Sequence, residues 1–298
     1  MAATQEEGRK GREPGTVSTY LVIPYFAGDR GRPGQERPLG GNAVWWLCPS
    51  IVVNGQPGKN TFVRGEPTSV TVDVANWGNG TIAAPVQVQL WWADPTTGFT
   101  TKTPFGQTVV VAPTGGGVRR SPPVVGVIPT SAPAHVCLLA YVSSPLDALP
   151  AGSPADPVGD RHWAQLNIVE LAQPAAQPFQ LLVFVGNPLA EEATFELVER
   201  ALSRETLAVL SRIRRAEVVT LEGPTLELWE GRRRGEGNTL RVTLEPGRRR
   251  AVHVAGKLPD DVEPGLDVAF ELVQTLPGEE EPRVTGAIGL IVQRRRER

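Results

Sequence analysis

The sequence is poor in the residues from which catalytic and redox sites are usually built. It has three histidines, two cysteines and one methionine among 298 residues, and only four of its 30 basic residues are lysines. The histidines form no HxH or HExxH pattern and no CxxC occurs, so no zinc site is predicted. No GxSxG turn is present to carry a hydrolase nucleophile. These absences predict a protein that is not an enzyme and that needs no cofactor.

Long apolar runs are also missing. No stretch of 18 apolar residues occurs, so no membrane-spanning helix is predicted. Residues 1–16 are polar and mixed in charge, without the apolar centre of a signal peptide. We therefore expect synthesis in the cytoplasm, with the final location, a cytoplasmic particle or a released assembly, left open. The 32 acidic and 30 basic residues nearly balance, which gives the chain no overall attraction to nucleic acid.

Turn-forming residues are abundant instead. The 32 glycines and 28 prolines make up about a fifth of the chain, and 40% of the residues are apolar. This composition favours many short strands joined by turns over a helical protein. The length suits two domains of ordinary size.

The first half shows the two-residue period of half-buried strands. Val70, Val72 and Val74 alternate with polar residues, and a turn across 76–80 leads into a second alternating strand over 86–92. This second strand places Val86, Val88, Leu90 and Trp92 inward and Trp91 outward. Further strands are expected across 44–53, 107–112, 118–128, 135–142 and 163–170. The pattern predicts a two-sheet antiparallel sandwich.

The second half follows a linker at 173–177 and repeats the strand pattern with one interruption. Across 203–215, SRETLAVLSRIRR, the residues Leu207, Leu210 and Ile213 have helical spacing, and Ser203 is a suitable N-cap. The predicted fold class is therefore all-β, with two tandem immunoglobulin-like β-sandwiches and one short helix inserted in the second. The expected units are a flexible arm at 1–40, a sandwich at 41–172 and a second β-sandwich domain at 173–298.

The first unit resembles the bacterial immunoglobulin-like modules of the CARDB type. The resemblance rests on these stretches: Val74-x-Asn76-x-Gly78, Ala83-Ala84, Trp92-Ala93-Asp94, His135-x-Cys137 and the closing Asp160-Arg161-His162-Trp163-Ala164-Gln165-Leu166-Asn167. It implies an immunoglobulin-like sandwich and assigns no activity, because such modules are grafted onto many systems. The second unit looks only generically like an immunoglobulin or fibronectin sandwich.

An apolar patch, YLVIPYF, stands between two polar, glycine-rich segments near the N-terminus. One interpretation places it along the edge of the first domain. The other makes it an arm that adds to a sheet edge of a neighbouring subunit. The candidate partner-binding residues are Tyr20, Leu21, Ile23, Tyr25 and Phe26.

Two further surfaces are candidates. Arginine triplets at 232–234, 248–250 and 294–296 form either a solvated face or a site for an acidic partner, and Arg232, Arg233 and Arg234 are retained as candidates. No specific nucleic-acid binding is expected, because stacking aromatics are not interleaved with the triplets. The outward-facing Trp91 suits a polysaccharide or a partner protein, unless the arm or the second domain covers it.

Two smaller features leave alternatives open. Cys48 and Cys137 are either two buried thiols or one disulfide. The cluster Asp160-Arg161-His162 is either a local pairing at a strand end or part of a recognition site. The acidic runs at 260–263 and 279–281 lack the spacing of a calcium-binding loop.

The hypothesis that best fits these features is a non-catalytic structural or protein-interaction subunit of a larger bacterial assembly, such as a fibre, sheath, phage-like particle or surface layer. It would form homo- or hetero-oligomers with other protein subunits through the arm and the sheet edges. The alternative is a carbohydrate-binding module that uses exposed tryptophans to hold a polysaccharide. An enzyme of unrecognised type is the third hypothesis.

Overall fold

A computed structural model describes residues 13–40, 43–173, 177–222, 225–278 and 282–294. Within these ranges the chain folds as two β-sandwiches in sequence, with one helix in the second. The predicted fold class, all-β with two tandem immunoglobulin-like sandwiches, is confirmed. No helix in these ranges combines the length and apolarity needed to cross a membrane.

The first sandwich contains ten strands. They are β1 (Leu21–Val22), β2 (Ile51–Val53), β3 (Gln56–Pro57), β4 (Pro67–Asn76), β5 (Ala84–Ala93), β6 (Thr103–Ala112), β7 (Val118–Arg120), β8 (Val124–Val127), β9 (Cys137–Ser143) and β10 (Trp163–Leu166). One sheet has the order β1-β4-β2-β3, with β7 and β8 also paired to β4. The facing sheet has the order β10-β9-β5-β6 and is antiparallel throughout.

Alternation along β4 and β5 builds the core of this sandwich. Val70, Val72 and Val74 are fully buried, and the inward residues of β5 as far as Leu90 are buried against them, as predicted. A bulge between Leu90 and Trp91 shifts the pairing of β5 with β6. Trp92, expected in the core, is only partly buried against it.

The predicted strands at 118–128 and 44–53 differ from the observed ones. The expected strand at 118–128 is divided into β7 and β8, because Pro122 and Pro123 lie between them and have no N–H to donate to a sheet. Of the expected strand at 44–53, only Ile51–Val53 is a strand. The preceding residues form a turn, in which the Leu47 N–H donates to the Val44 carbonyl at 3.0 Å.

The second sandwich contains ten strands and a helix. They are β11 (Ile168–Gln173), β12 (Pro178–Gly186), β13 (Ala193–Arg200), α1 (Arg204–Arg214), β14 (Val218–Val219), β15 (Glu227–Glu230), β16 (Arg233–Arg234), β17 (Thr239–Leu244), β18 (Arg249–Lys257), β19 (Asp267–Leu276) and β20 (Arg283–Arg294). One sheet has the order β11-β20-β19-β13-β17, with β14 beside β19. The other has the order β12-β18-β15-β16.

The predicted helix is present with the predicted cap. The Ser203 hydroxyl accepts the Thr206 N–H at 3.1 Å, which satisfies one of the free donors of the first turn. Leu210 is fully buried, while Leu207 and Ile213 pack at the edge of the same core cluster. The helix ends at Arg215, which has the left-handed conformation with φ 54°.

The chain changes from one sandwich to the other at Asn167. β10 belongs to the first sandwich, whereas β11 pairs in parallel with β20 of the second, so the expected single strand at 163–170 is two strands in different sheets. The Asn167 amide donates to the carbonyls of Thr96 at 2.7 Å and Ala287 at 2.8 Å. The structure therefore places the boundary at Asn167 rather than after residue 172. Residues 174–176 of the expected linker lie outside the described ranges.

Glycines bring the backbones of the two sandwiches into direct contact. A Cβ at Gly286 would lie 1.4 Å from the Thr97 carbonyl oxygen, and one at Gly98 would lie 2.2 Å from the Gly186 oxygen. Real Cβ atoms do not approach this closely, so a larger side chain at either position requires the sandwiches to move apart. The junction is thus a packed interface.

Candidate functional site

The N-terminal apolar patch is part of the first sandwich. Leu21 and Val22 form β1, which pairs with Ala75 and Asn76 at the end of β4. The aromatic and aliphatic side chains of the patch are at most 3% exposed, except that Phe26 is partly buried: Tyr20, Leu21, Val22, Ile23, Tyr25. The hypothesis of a free arm is therefore wrong for residues 13–40, because these side chains face their own domain. Residues 1–12 lie outside the described ranges.

A buried ion pair holds β1 in place. Both terminal nitrogens of Arg161 donate to the Asp147 carboxylate at 2.8 Å, and Nη1 also donates to the Leu21 carbonyl at 2.5 Å. The Leu21 N–H donates to Asp147 Oδ2 at 2.6 Å. The guanidinium group lies 3.7 Å from the centre of the Tyr20 ring. One arginine thus binds both the backbone and the side chains of the patch.

His162 and Asp160 complete this network. The His162 Nδ1 lies 2.8 Å from Asp160 Oδ1, and its Nε2 lies 3.3 Å from Asp147 Oδ1. Burial by itself would raise the pKa of Asp147, but hydrogen bonds from His162 and Arg161 and the charge of Arg161 outweigh it, so this pKa lies well below its usual range. Within the cluster 160–162, Asp160 therefore pairs locally with His162, whereas Arg161 pairs with the distant Asp147.

The segment at 28–40, expected to be weakly ordered, is fixed by a second buried pair. Arg37 donates to both oxygens of the Asp29 carboxylate at 3.0 and 3.1 Å, and both side chains are nearly inaccessible to solvent. Asp29 also accepts the N–H groups of Tyr25 and Gly31, each at 2.9 Å. A buried carboxylate with this many donors ties its loop to the domain.

The two cysteines are free thiols. Both are buried, and burial raises the pKa of Cys48 to about 12 and that of Cys137 further still. The disulfide interpretation is therefore wrong, and the thiols act as small buried groups that hold their protons at neutral pH. Within the described ranges, no three His, Cys, Asp or Glu side chains form a group able to hold a metal ion.

Trp91 points outward from its sheet, as predicted, but its ring is partly covered. The Trp163 ring packs against it with 5.6 Å between centroids, and the Tyr141 ring packs against Trp163 at 4.7 Å. The Lys102 amine lies 5.5 Å from the Trp91 ring, and burial lowers the pKa of this lysine. Trp91 thus belongs to a small aromatic cluster.

Two of the arginine triplets meet beside an aromatic residue that sequence reasoning did not consider. Glu230 binds Arg233 at 3.0 Å and Arg250 at 2.9 Å, which joins the triplets at 232–234 and 248–250. Arg234 pairs with Glu227, and Arg232 is exposed. Trp229 lies opposite Arg234 in the sheet. The sequence signal for this neighbourhood was the position of Trp229, three residues before Arg232.

Of the third triplet, the structure describes Arg294 alone. Arg294 donates to the Asp260 carbonyl at 2.8 Å and to the Val262 carbonyl, which ties the end of β20 to the preceding loop. Arg295 and Arg296 lie outside the described ranges. The same is true of the remaining C-terminal residues.

A cavity of about 200 Å³ opens at the junction of the sandwiches. Its lining residues are Asn60, Phe62, Ala134, His135, Ile168 and Glu170. The Glu170 carboxylate is engaged by Arg214 at 2.6 Å, and burial lowers the pKa of His135, which keeps its imidazole neutral at pH 7. No serine or cysteine lines this cavity.

The edge strand β6 of the first sandwich carries exposed valines. β6 is the last strand of its sheet, and Val109 and Val111 on its outer face are 58% and 60% exposed. In the facing sheet, Val125 and Val127 of β8 are 65% and 53% exposed. β6 and β8 approach each other where Gly106 meets Val124.

No family model matches this chain, and no curated protein matches it. Among solved structures, the CupB6 tip adhesin from Pseudomonas aeruginosa is similar at 11% identity and a TM-score of 0.26, over 78% of this chain and 93% of that one. A bacterial adhesin from Mobiluncus mulieris aligns at 8% identity and a TM-score of 0.21, over 96% of this chain and 100% of that one. These values assign neither a family nor an activity.

A family 123 glycoside hydrolase from Clostridium perfringens is also similar, at 6% identity and a TM-score of 0.25. The alignment covers 43% of this chain and 23% of the hydrolase chain, so this chain spans about a quarter of that protein. The resemblance of the first unit to CARDB-type modules stays a prediction.

Proposed function

We propose that this chain is a non-catalytic protein-interaction subunit that associates with a second copy of itself through the β6 edge. The observation that carries the proposal is an open, uncharged strand edge flanked by exposed valines. Unpaired backbone groups along such an edge are a ready template for another strand. The proposal retains the sheet edges of the sequence hypothesis and replaces its arm, because the described part of that arm is buried.

Four other edge strands, β10, β12, β16 and β17, are covered or charged. On β10, Gln165 accepts the Cys48 N–H at 2.9 Å. On β12, the Phe184 N–H donates to Pro95 at 2.8 Å, so residues of the first sandwich cover that edge. β16 and β17 carry exposed arginines, which oppose pairing with a second strand.

The β6 edge has neither kind of protection. No charged residue occurs from Thr103 through Val118, and in the described part of the chain β5 is the sole strand paired with β6. β8 approaches β6 at Gly106, before the stretch Gln107–Ala112. The last carbonyl of this stretch, that of Ala112, accepts the Asn76 side-chain amide at 3.4 Å. A charged or proline gatekeeper, by which proteins usually block such an edge, is missing from this six-residue stretch.

A second copy is the occupant that this edge suits best. Two β6 strands paired antiparallel about a two-fold axis bring identical uncharged segments together, so no like charges meet. The pairing joins two four-stranded sheets into one eight-stranded sheet. The exposed Val109 and Val111 of both copies then lie on one continuous face of the joined sheet, where the valines of one copy can pack against residues of the other.

The experiment is the mass of the full chain in solution as a function of concentration, by sedimentation equilibrium. We expect a dimer of twice the 32.0 kDa chain mass that dissociates on dilution. The double variant Val109→Lys/Val111→Lys should remain monomeric at concentrations where the wild type is dimeric, because paired strands would bring four ammonium groups together.

The matched control is Val63→Lys/Ile82→Lys. These two residues are 54% and 82% exposed and lie in connections between strands, so the variant adds the same charge away from any edge. It should dimerise like the wild type. A wild type that is monomeric at every concentration, or a β6 variant that dimerises as well as the control, would refute the proposal.

A further inference from the structure

The cavity of about 200 Å³ lies between the two sandwiches and takes its walls from both. Four of its lining residues belong to connections of the first sandwich, whereas Ile168 and Glu170 belong to β11 of the second. Ligand sites occur preferentially at such junctions between domains. The lining combines a carboxylate, an imidazole and an amide with one aromatic and two aliphatic side chains.

The alternation of side chains along β11 directs Glu170 toward this cavity. Val169 and Leu171 pack in the core of the second sandwich, while Ile168, on the opposite face of the strand, packs in the core of the first. Glu170 shares the face of Ile168, because residues two apart in a strand point to the same side. The Glu170 side chain is 35% exposed, so a solute that enters the cavity can reach the carboxylate.

The charges around Glu170 leave one carboxylate in excess. Arg214 Nη1 donates to Glu170 Oε1 at 2.6 Å, and Nε and Nη2 of the same guanidinium donate to Asp267 Oδ2 at 3.1 and 3.0 Å. One positive charge therefore serves two carboxylates. Glu170 Oε2 accepts no hydrogen bond from any residue that the structure describes. This oxygen is thus the natural acceptor for a positively charged donor.

His135 supplies a neutral acceptor beside the carboxylate. Burial lowers the pKa of His135; the charge of Glu170 opposes this shift and the charge of Arg64 adds to it. The imidazole is therefore neutral at pH 7, and a neutral imidazole has one ring nitrogen that accepts a hydrogen bond. Neither ring nitrogen has a hydrogen-bond partner within the described ranges.

Asn60 supplies a third acceptor. Its Nδ2 donates to the Val136 carbonyl at 2.6 Å, which fixes the orientation of the amide. The Asn60 Oδ1 is buried, and no group in the described part of the chain donates to it. A buried acceptor without a donor costs free energy, which a donor entering the cavity recovers.

We propose that this cavity binds a small organic ammonium ion of up to about eight non-hydrogen atoms. An ammonium group carries three donors and no acceptor, which matches the three acceptors of Glu170, His135 and Asn60. Phe62 and Ile168 then contact the alkyl part of the ligand. The size follows from the volume, since a cavity of about 150 Å³ in another protein holds the ring of benzene.

Other occupants fit this lining less well. An anion would face Glu170, whose negative charge is only partly balanced by the shared Arg214. A bare metal ion is much smaller than the cavity, and the described ranges contain no group of three His, Cys, Asp or Glu side chains able to hold one. The cavity shares no residue with the β6 edge, so the proposal does not depend on the proposed dimer.

The test is a calorimetric titration of the full chain at pH 7, in a buffer free of amines, with n-butylammonium as the ligand. The neutral n-butanol and the anionic butyrate have the same chain length and serve as comparison ligands. We expect one butylammonium ion to bind per chain. Butanol should bind about tenfold more weakly or less, the usual loss when a hydrogen bond to a charged group loses its charge, and butyrate should not bind.

Two variants remove the acceptors one at a time. Glu170→Gln should weaken butylammonium binding about tenfold or more, because the ammonium loses its charged partner. Arg214 keeps Asp267 as a partner in this variant, so its charge stays paired. His135→Phe keeps a flat ring and removes the accepting nitrogen, so it should weaken binding about threefold or more.

The matched control is Glu196→Gln. Glu196 also pairs with an arginine, Arg241, at 2.8 Å, and it does not line the cavity. This variant should bind butylammonium as tightly as the wild type. Circular dichroism of each variant verifies that the sandwiches are folded.

Three results would overturn the proposal. The first is no saturable binding of butylammonium by the wild type. The second is binding of butanol or butyrate as tight as that of butylammonium, which would show that the site does not select a positive charge. The third is unchanged affinity in Glu170→Gln or, if that variant does not fold, in His135→Phe.

Discussion

Replacing Asp147 by asparagine tests whether the buried ion pair attaches the N-terminal segment to the first sandwich. Asp147 is fully buried, and the Arg161 side chain is 10% exposed. The carboxylate accepts two hydrogen bonds from Arg161 at 2.8 Å and one from the Leu21 N–H at 2.6 Å. Asparagine keeps the shape but loses the charge, and its amide N–H₂ group competes for space with the N–H groups of Arg161.

The expected cost follows from what remains after the change. Arg161 keeps its positive charge in a site with little access to water, and removing one partner of a buried pair usually costs about 3–5 kcal/mol. A natural domain is stable by only about 5–15 kcal/mol. Asp147→Asn should therefore lower the free energy of unfolding by a large fraction and release β1 from β4.

The assay is urea unfolding of the full chain, together with limited proteolysis across residues 13–40. The control is Asp73→Asn, because Asp73 pairs with Arg120 at 2.8 Å in the same sandwich while the arginine is 58% exposed. Such surface pairs contribute about 0–1 kcal/mol. If both variants show the same small loss in the free energy of unfolding, and residues 13–40 stay protected from protease, the buried ion pair does not attach this segment to the sandwich.

The pH dependence of unfolding in acid measures the contribution of Asp147 in a second way. The folded pKa of Asp147 is lowered, so its contribution to stability is present above the unfolded value of about 3.9 and is lost as the pH falls toward the folded pKa. The difference in the free energy of unfolding between the wild type and Asp147→Asn should be constant near neutral pH. It should shrink steadily below about pH 4.

The remaining predictions concern the junction and the second sandwich. Burial raises the pKa of Glu271 despite its hydrogen bond with Arg200. The free energy of unfolding should therefore fall as the pH rises from about 4.3 toward the folded pKa. Glu271→Gln should remove this pH dependence, measured by urea unfolding at a series of pH values. Gly286→Ala should lower the free energy of unfolding by about 1–3 kcal/mol, because the added methyl group overpacks against the Thr97 backbone. Gly40→Ala, where a Cβ meets nothing within 4 Å, should be nearly neutral in the same urea unfolding assay.

Sequence alone determined the local features of this protein. The alternation of Val70, Val72 and Val74 predicted their burial, because the side chains of a strand point to opposite faces with a period of two. The cap at Ser203 and the helical spacing that follows predicted α1, because both depend on residues within one or two turns. The β-sandwich class followed from many such short-range signals.

Only the tertiary structure decided which distant segments meet. The YLVIPYF patch has the composition of an arm and of a buried strand alike, and the pairing of Arg161 with Asp147 determines which it is. The meeting of two arginine triplets at Glu230 depends on the register of β15 with β18. Register is set by packing across the whole sheet, and no pattern within a single segment encodes it.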